Sequence, residues 1–213
     1  MALILIIGNK NYSSWSLRSW LTLKQSGLTF EEVRISLDLP DTHTRILEYS
    51  PSGRVPALRQ DNLTIWESLA ICEYIAELVP DRHLWPTDPA ARAVARAVSA
   101  EMHAGFSNLR AEMPMDCRAR RSQAATSAVQ QDIDRIFVLW QACRQQFGQG
   151  GEFLFGEFSI ADAMFAPVTS RFVTYDVALT PAAQAYVNAV WGLPAMQEWL
   201  SAAEAEAEVL DLV

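Results

Sequence analysis

Ser13 and Ser14 stand where the apolar run ALILIIG gives way, after Gly8-Asn9, to a segment of helical periodicity. A hydroxyl is too weak an acid to ionise and serve as a base, but it donates a hydrogen bond well to an anion, a sulfur anion included. A helix that begins near Ser14 adds the positive end of its dipole and its unpaired N–H groups at the same spot. Glu67 and Ser68 form a second pair, at a strand-to-helix junction. There the helix start suits a carboxylate and the neighbouring acid suits an ammonium, so together they fit an α-amino acid. Simple capping by Ser68 beside a surface acid accounts for the same two residues. Between the pairs lies Val55-Pro56, just after a Ser-Gly turn, where a proline is ordinary at the start of an edge strand.

Other chemistry is argued against by composition. The three histidines, His43, His83 and His103, and the three cysteines, Cys72, Cys117 and Cys143, show no pair at ligand spacing, so no metal site is expected. Widely spaced cysteines in odd number suit a reducing compartment, with the cytoplasm as the expected location. The net charge of −8 and the lack of a basic block speak against nucleic acid and anionic membranes, which leaves a small solute as partner. MALILIIG resembles a leader, but it has no basic start, its apolar run is short and no small-residue cleavage site follows; it reads as a buried strand. No stretch approaches the roughly 18 apolar residues that cross a bilayer.

The elements that must position the serines and the Glu67-Ser68 pair can be read along the chain. The continuous apolar run predicts a strand covered on both faces, followed by a helix over residues 14 to 26 that closes at Gly27. FEEVRIS alternates like a second strand, and Asp41 or Thr42 can cap a short helix over HTRILEY. Ala57 to Gln60 and Leu63 to Trp66 flank the turn Asp61-Asn62 as a hairpin, and a helix runs from Ser68 to about Val79. The proline-rich segment PDRHLWPTDPA reads as a linker between residues 1–80 and an all-helical second half, residues 88–213. In that half helices are signalled at Asp88-Pro89, Ser122, Ser159 and Thr180-Pro181, and SAAEAEAEVL reads as a solvated terminal helix.

SSWSLR, GRVPAL, ESLAICEYI and GEFSIAD occur in the order and spacing of the cytosolic glutathione S-transferases, across essentially the whole chain. In GEFSIAD, Ser159 and Asp162 have the spacing of a capping box with Phe158 as the staple residue. The chain therefore resembles that family in its serine-type, bacterial-like form, with some similarity to the SSC stretch of the zeta class. Trp15 stands where zeta enzymes have cysteine, and no cysteine lies near the first helix, so cysteine-based chemistry is not expected.

The resemblance implies a thioredoxin-like α/β domain of order βαβαββα followed by an all-α domain. It implies glutathione as co-substrate, no metal, a small electrophile as second substrate, and a homodimer. Ser13 or Ser14 would stabilise the thiolate. Val55, ahead of a cis Pro56, would pair with the cysteinyl backbone as a strand would. Glu67 and Ser68 would hold the γ-glutamyl end, and Arg54 is either a contact for the glycyl carboxylate or an exposed loop arginine. The second-substrate pocket would lie on EMHAGFSNLRAEMPM, the first long helix of the second half, with His103 and Met113 as candidates and Arg110 one step round. Met102, Phe106 and Leu109 read as core. The alternatives are a non-catalytic protein of the same fold that binds a ligand or partner, and a glutathione-dependent isomerase of the maleylacetoacetate type.

Overall fold

The computed structural model describes residues 2–210. Its first part runs β1 (Leu3–Ile7), α1 (Ser14–Ser26), β2 (Phe30–Arg34), α2 (Thr42–Leu47), β3 (Ala57–Gln60), β4 (Leu63–Trp66) and α3 (Ser68–Leu78), the βαβαββα order expected. The four strands lie in the order β2-β1-β3-β4, with β1 parallel to β2 and antiparallel to β3, and β3 antiparallel to β4. The apolar run is continuous because both faces of β1 are covered. Leu3, Leu5 and Ile7 enter the main core with Leu17 and Ile71, while Ile6 packs on the other side with Ile35, Ile46 and Ala57.

Helix α1 ends at Gly27, whose φ of 77° is the left-handed conformation that terminates helices. The start of α2 differs from the simplest capping scheme. Asp41 makes no side-chain cap bond; the Thr42 hydroxyl instead donates to the Ser36 carbonyl and accepts from Leu39 N–H, which ties the preceding loop.

Beyond α3 the chain is helical: α4 (Pro89–Ala104), α5 (Ser107–Glu112), α6 (Ser127–Phe147), α7 (Ile160–Thr174), α8 (Pro181–Gly192) and α9 (Pro194–Glu204). Asp88 caps α4 by accepting Ala91 N–H at 2.7 Å, and Thr180 caps α8 by accepting Ala183 N–H at 3.2 Å. Three expectations are corrected. The helix signalled at Ser122 starts at Ser127, where Thr126 takes the extended conformation of a cap and accepts Val129 N–H; upstream, Arg121 N–H is held by the Thr174 carbonyl. The long helix expected through EMHAGFSNLRAEMPM breaks at Gly105 and Phe106, whose φ is 59°. Arg110 reaches back from α5 to the carbonyls of Met102, His103 and Gly105 and closes the end of α4.

The tail, finally, is not a solvated helix, because α9 ends at Glu204 and the chain beyond it is anchored. Glu206 accepts Lys10 N–H at 2.6 Å and Asn11 N–H at 3.1 Å, and Glu208 pairs with Arg34 at 2.7 Å. The end of the described chain thus clamps the loop that carries the serine pair.

Candidate functional site

Two adjoining clefts bring the expected residues together. The first, about 260 Å³, is lined by Trp15, Ser52, Arg54, Val55, Pro56, Glu67, Ser68 and His103. The Val55–Pro56 bond is cis. Glu67 has φ 73° and ψ 122°, a conformation that a non-glycine residue holds only at a cost and that clusters at functional sites. Plain capping does not describe this junction. Ser68 is the first residue of α3, not its cap, and its buried hydroxyl has no hydrogen-bond partner among the described residues. An orphan hydroxyl beside the free N–H groups of a helix start is a receptor for a carboxylate, and Glu67 stands next to it.

His103 belongs to this first cleft and not to the second-substrate pocket expected for it. Its Nε2 lies 3.3 Å from Glu67 Oε2, and its ring meets Trp15 edge-on at 5.2 Å. Burial and the charge of Arg18 lower its pKa and favour the neutral imidazole, against the opposite pull of Glu67.

The second cleft, about 310 Å³, is lined by Tyr12, Ser13, Ser14, Trp15, Leu37, Val55, Arg110, Pro114, Met115 and Arg171. Trp15 and Val55 belong to both clefts, so the two meet at these residues, and the serine pair lines the second cleft only. Ser13 Oγ lies 2.7 Å from Ser16 Oγ, and Ser16 Oγ accepts Gly8 N–H at 3.1 Å. The first helical bond of α1 runs from Leu17 N–H to the Ser13 carbonyl, so the N–H groups of the first turn precede it. Met113 is a correction: it closes α5, is 1 % exposed and lines neither cleft, while its carbonyl accepts Arg171 Nε at 2.9 Å. Pro114 and Met115 line the wall where it was expected.

Among the lining residues that the sequence did not single out for the site are Trp15 and Arg171. Trp15 was legible only as a departure from cysteine, although Arg18, one turn on, lies 4.3 Å from its ring as the i to i+3 spacing allows. Arg171 stands in the last turn of α7, where a cation suits the helix end, and no local pattern reveals that it lines the second cleft. Burial pushes the Cys72 thiol up to about 12 and those of Cys117 and Cys143 up to about 11, so the chain's own thiols stay protonated. No group of three or more potential metal ligands occurs among the described residues.

The sequence matches the family model of the glutathione S-transferase N-terminal domain over residues 12–78 and that of the C-terminal domain over residues 123–202. It is 30% identical over 174 residues to rat maleylacetoacetate isomerase, covering 79% of this chain and 77% of that protein. It is 29% identical over 171 residues to the glutathione S-transferase GstB of Escherichia coli K12, covering 76% and 82% respectively. A glutathione transferase homolog from Burkholderia GL BGR1, solved with bound glutathione, superposes with a TM-score of 0.72 at 26% identity over 97% of this chain and 100% of its own. With an orphan hydroxyl at a helix start, a cis Val55–Pro56 bond and a serine pair around one pair of clefts, and with models matched in both halves, the chain belongs to the glutathione S-transferase family.

Proposed function

We propose that the protein is a glutathione transferase that binds glutathione in the first cleft and delivers its thiolate to a small electrophile in the second. The observation that carries this is the junction of the clefts at Trp15 and Val55, with the amino-acid receptor of Glu67 and Ser68 lining the first and the serine pair lining the second. In this reading Val55, held before Pro56, pairs with the cysteinyl backbone. Glu67 and Ser68 take the γ-glutamyl ammonium and carboxylate, and Arg54, at the exposed rim, takes the glycyl carboxylate. Ser13 stabilises the sulfur anion, Ser14 supports the helix start, and His103 supports Glu67.

Retention on immobilised glutathione followed by turnover of 1-chloro-2,4-dinitrobenzene tests the reading. Retention without turnover favours a non-catalytic binding protein instead. Glutathione-dependent isomerisation is the second reading, favoured by the relationship to rat maleylacetoacetate isomerase, and Trp15 in place of the zeta-class cysteine weighs against it. An isomerisation assay run beside conjugation separates the two.

For Glu67 the expected result is selective. Glu67→Gln weakens glutathione by about 10-fold or more, as loss of a charge-assisted contact does. It weakens an analogue lacking the γ-glutamyl amino group far less, and equal losses measured by calorimetry would make Glu67 structural.

The division into residues 1–80 and 88–213 is part of this proposal, supported by β1 to β4 all lying before Glu67 and forming one sheet. A reducing cytoplasmic location is supported by three free, buried cysteines. We also expect a homodimer, supported by Leu63 and Trp66 standing 47% and 45% exposed on the edge strand β4. Sedimentation of a monomer at micromolar concentration would remove that expectation.

A further inference from the structure

Arg110 and Arg171 give the wall of the second cleft positive charge, and Arg18 lies with Arg110 against the Trp15 ring. Arg18 is 0% exposed, and none of its three guanidinium nitrogens has a hydrogen-bond partner among the described residues. Its guanidinium lies over the Trp15 ring at 4.3 Å, and that of Arg110 lies over the same ring at 4.7 Å, with Nη1 buried and unpartnered. Arg171, 4% exposed, gives Nε to the Met113 carbonyl and Nη1 to the Pro167 carbonyl, neither of which carries a charge. No aspartate or glutamate lines the second cleft. Asp132 acts on Arg110 by its charge without forming an ion pair with it among the described residues, and its Oδ2 accepts Leu109 N–H at 2.9 Å. Burial and mutual repulsion lower the proton affinity of both Arg18 and Arg171, each of which feels Arg110.

Buried cations are ordinarily paired, because a desolvated charge without an acceptor is costly, and an anion brought from outside removes that cost. Glutathione itself does not answer the need. On the reading above, its two carboxylates go to Ser68 and Arg54, which line the first cleft and not the second.

We propose that Arg110 and Arg171, backed by Arg18, form a carboxylate subsite in the second cleft, so that the electrophile this protein takes bears a carboxylate. This rests on glutathione occupying the adjoining cleft. Planar guanidinium forks hold a carboxylate with defined direction, and the subsite would turn the opposite, reactive end of a small molecule toward the thiolate beside Ser13.

The test uses paired compounds that differ only in that charge. Binding of 3-nitrobenzoate and of methyl 3-nitrobenzoate to the glutathione-saturated protein is measured by calorimetry. Turnover of 4-chloro-3-nitrobenzoate and of its methyl ester is measured in parallel, each divided by its rate with glutathione alone. In that reaction the sulfur bonds to the ring carbon bearing chlorine and chloride leaves with the electron pair; the thiol proton has already passed to solvent. The acid is expected to exceed the ester by about 10-fold or more in affinity and in normalised kcat/KM. The ratio should fall toward one in Arg110→Gln and in Arg171→Gln. Being internal to each variant, the ratio is not mimicked by a general loss of folding.

Equal binding of acid and ester by the unmodified protein overturns the subsite. A preference that survives both substitutions overturns its assignment to these arginines. A preference in binding without turnover keeps the subsite and rejects the transferase reading. A raised pKa of the bound thiol in the variants, with acid and ester bound equally throughout, hands the arginines to the sulfur and overturns the proposal.

Discussion

Asp162→Ala is expected to lower the unfolding free energy by about 3–5 kcal/mol, the scale of breaking a buried charged hydrogen-bond network. The carboxylate sits inside the first turn of α7 and accepts from four donors. Oδ1 takes Leu154 N–H at 3.1 Å and the Tyr186 hydroxyl at 3.0 Å, and Oδ2 takes Ser159 N–H at 2.8 Å and the Ser159 hydroxyl at 3.1 Å. Every one of those contacts is buried, so alanine leaves the donors without acceptor and without water. Because α7 packs against both α1 and α4, the loss spreads to the helix that carries the serine pair. Against a total stability of about 5–15 kcal/mol this is a large fraction, visible as a shift of the urea midpoint. A loss below about 1 kcal/mol would mean the network is dispensable.

The pH dependence has a definite sign. Burial pushes the Asp162 carboxyl from 3.8 up to about 6, with the four donated bonds pulling it back. The folded state therefore holds this proton more tightly than the unfolded state, and stability is lost as the pH rises through the interval between those values. Alanine has nothing to titrate. The gap between the native protein and Asp162→Ala is thus widest below pH 3.8, narrows as the pH rises to about 6 and is level above that.

Ser13→Ala is expected to raise the thiol pKa of bound glutathione by about one to two units and to cut turnover at pH 7 by about 3- to 25-fold, with little change in affinity. A free thiol has a pKa of about 8.5, and a depression of about two units corresponds to roughly 2.7 kcal/mol of preference for the anion. One charge-assisted hydrogen bond and a helix start can supply that. The two serines are not equivalent, because the Ser13 hydroxyl is already oriented by a neighbour. Gly8 N–H donates to Ser16, and Ser16 stands 2.7 Å from Ser13. With a sulfur anion as the last acceptor, each hydroxyl donates onward, Ser16 to Ser13 and Ser13 to sulfur, and the chain is preorganised.

Ser14→Ala, lacking that chain, should chiefly affect stability or affinity. The measurement is thiolate absorbance against pH in the binary complex, and in Ser13→Ala the turnover deficit should shrink as the pH rises above the new pKa. If neither variant raises that pKa, the serines do not activate the thiol.

What the amino-acid sequence determined by itself was set by interactions a few residues apart, though not every such interaction was legible, as the cap of α6 at Thr126 shows. A run of apolar residues covered on both faces could only be β1. Gly27, Asp88-Pro89 and Ser159 with Asp162 fixed helix ends through backbone conformation and capping bonds that span no more than four residues. The change from strand to helix at Glu67 and Ser68 was legible for the same reason, but the positive φ of Glu67 was not. The direction in which a side chain points into a cleft was not legible either, because it follows from packing between elements far apart in the chain.

His103 turns to Glu67 and Trp15 across the joint between α4 and the first cleft, and Met113 turns into the core where α5 ends. The long helix breaks at Phe106 with Arg110 folded back over the end of α4, and the acidic tail leaves its helical pattern for the bare N–H groups of Lys10 and Asn11. The charge of the second cleft is the clearest case. Arg18, Arg110 and Arg171 are unremarkable on three separate helices, and only the packing of α1, α5 and α7 around Trp15 and the Met113 carbonyl brings their charges together.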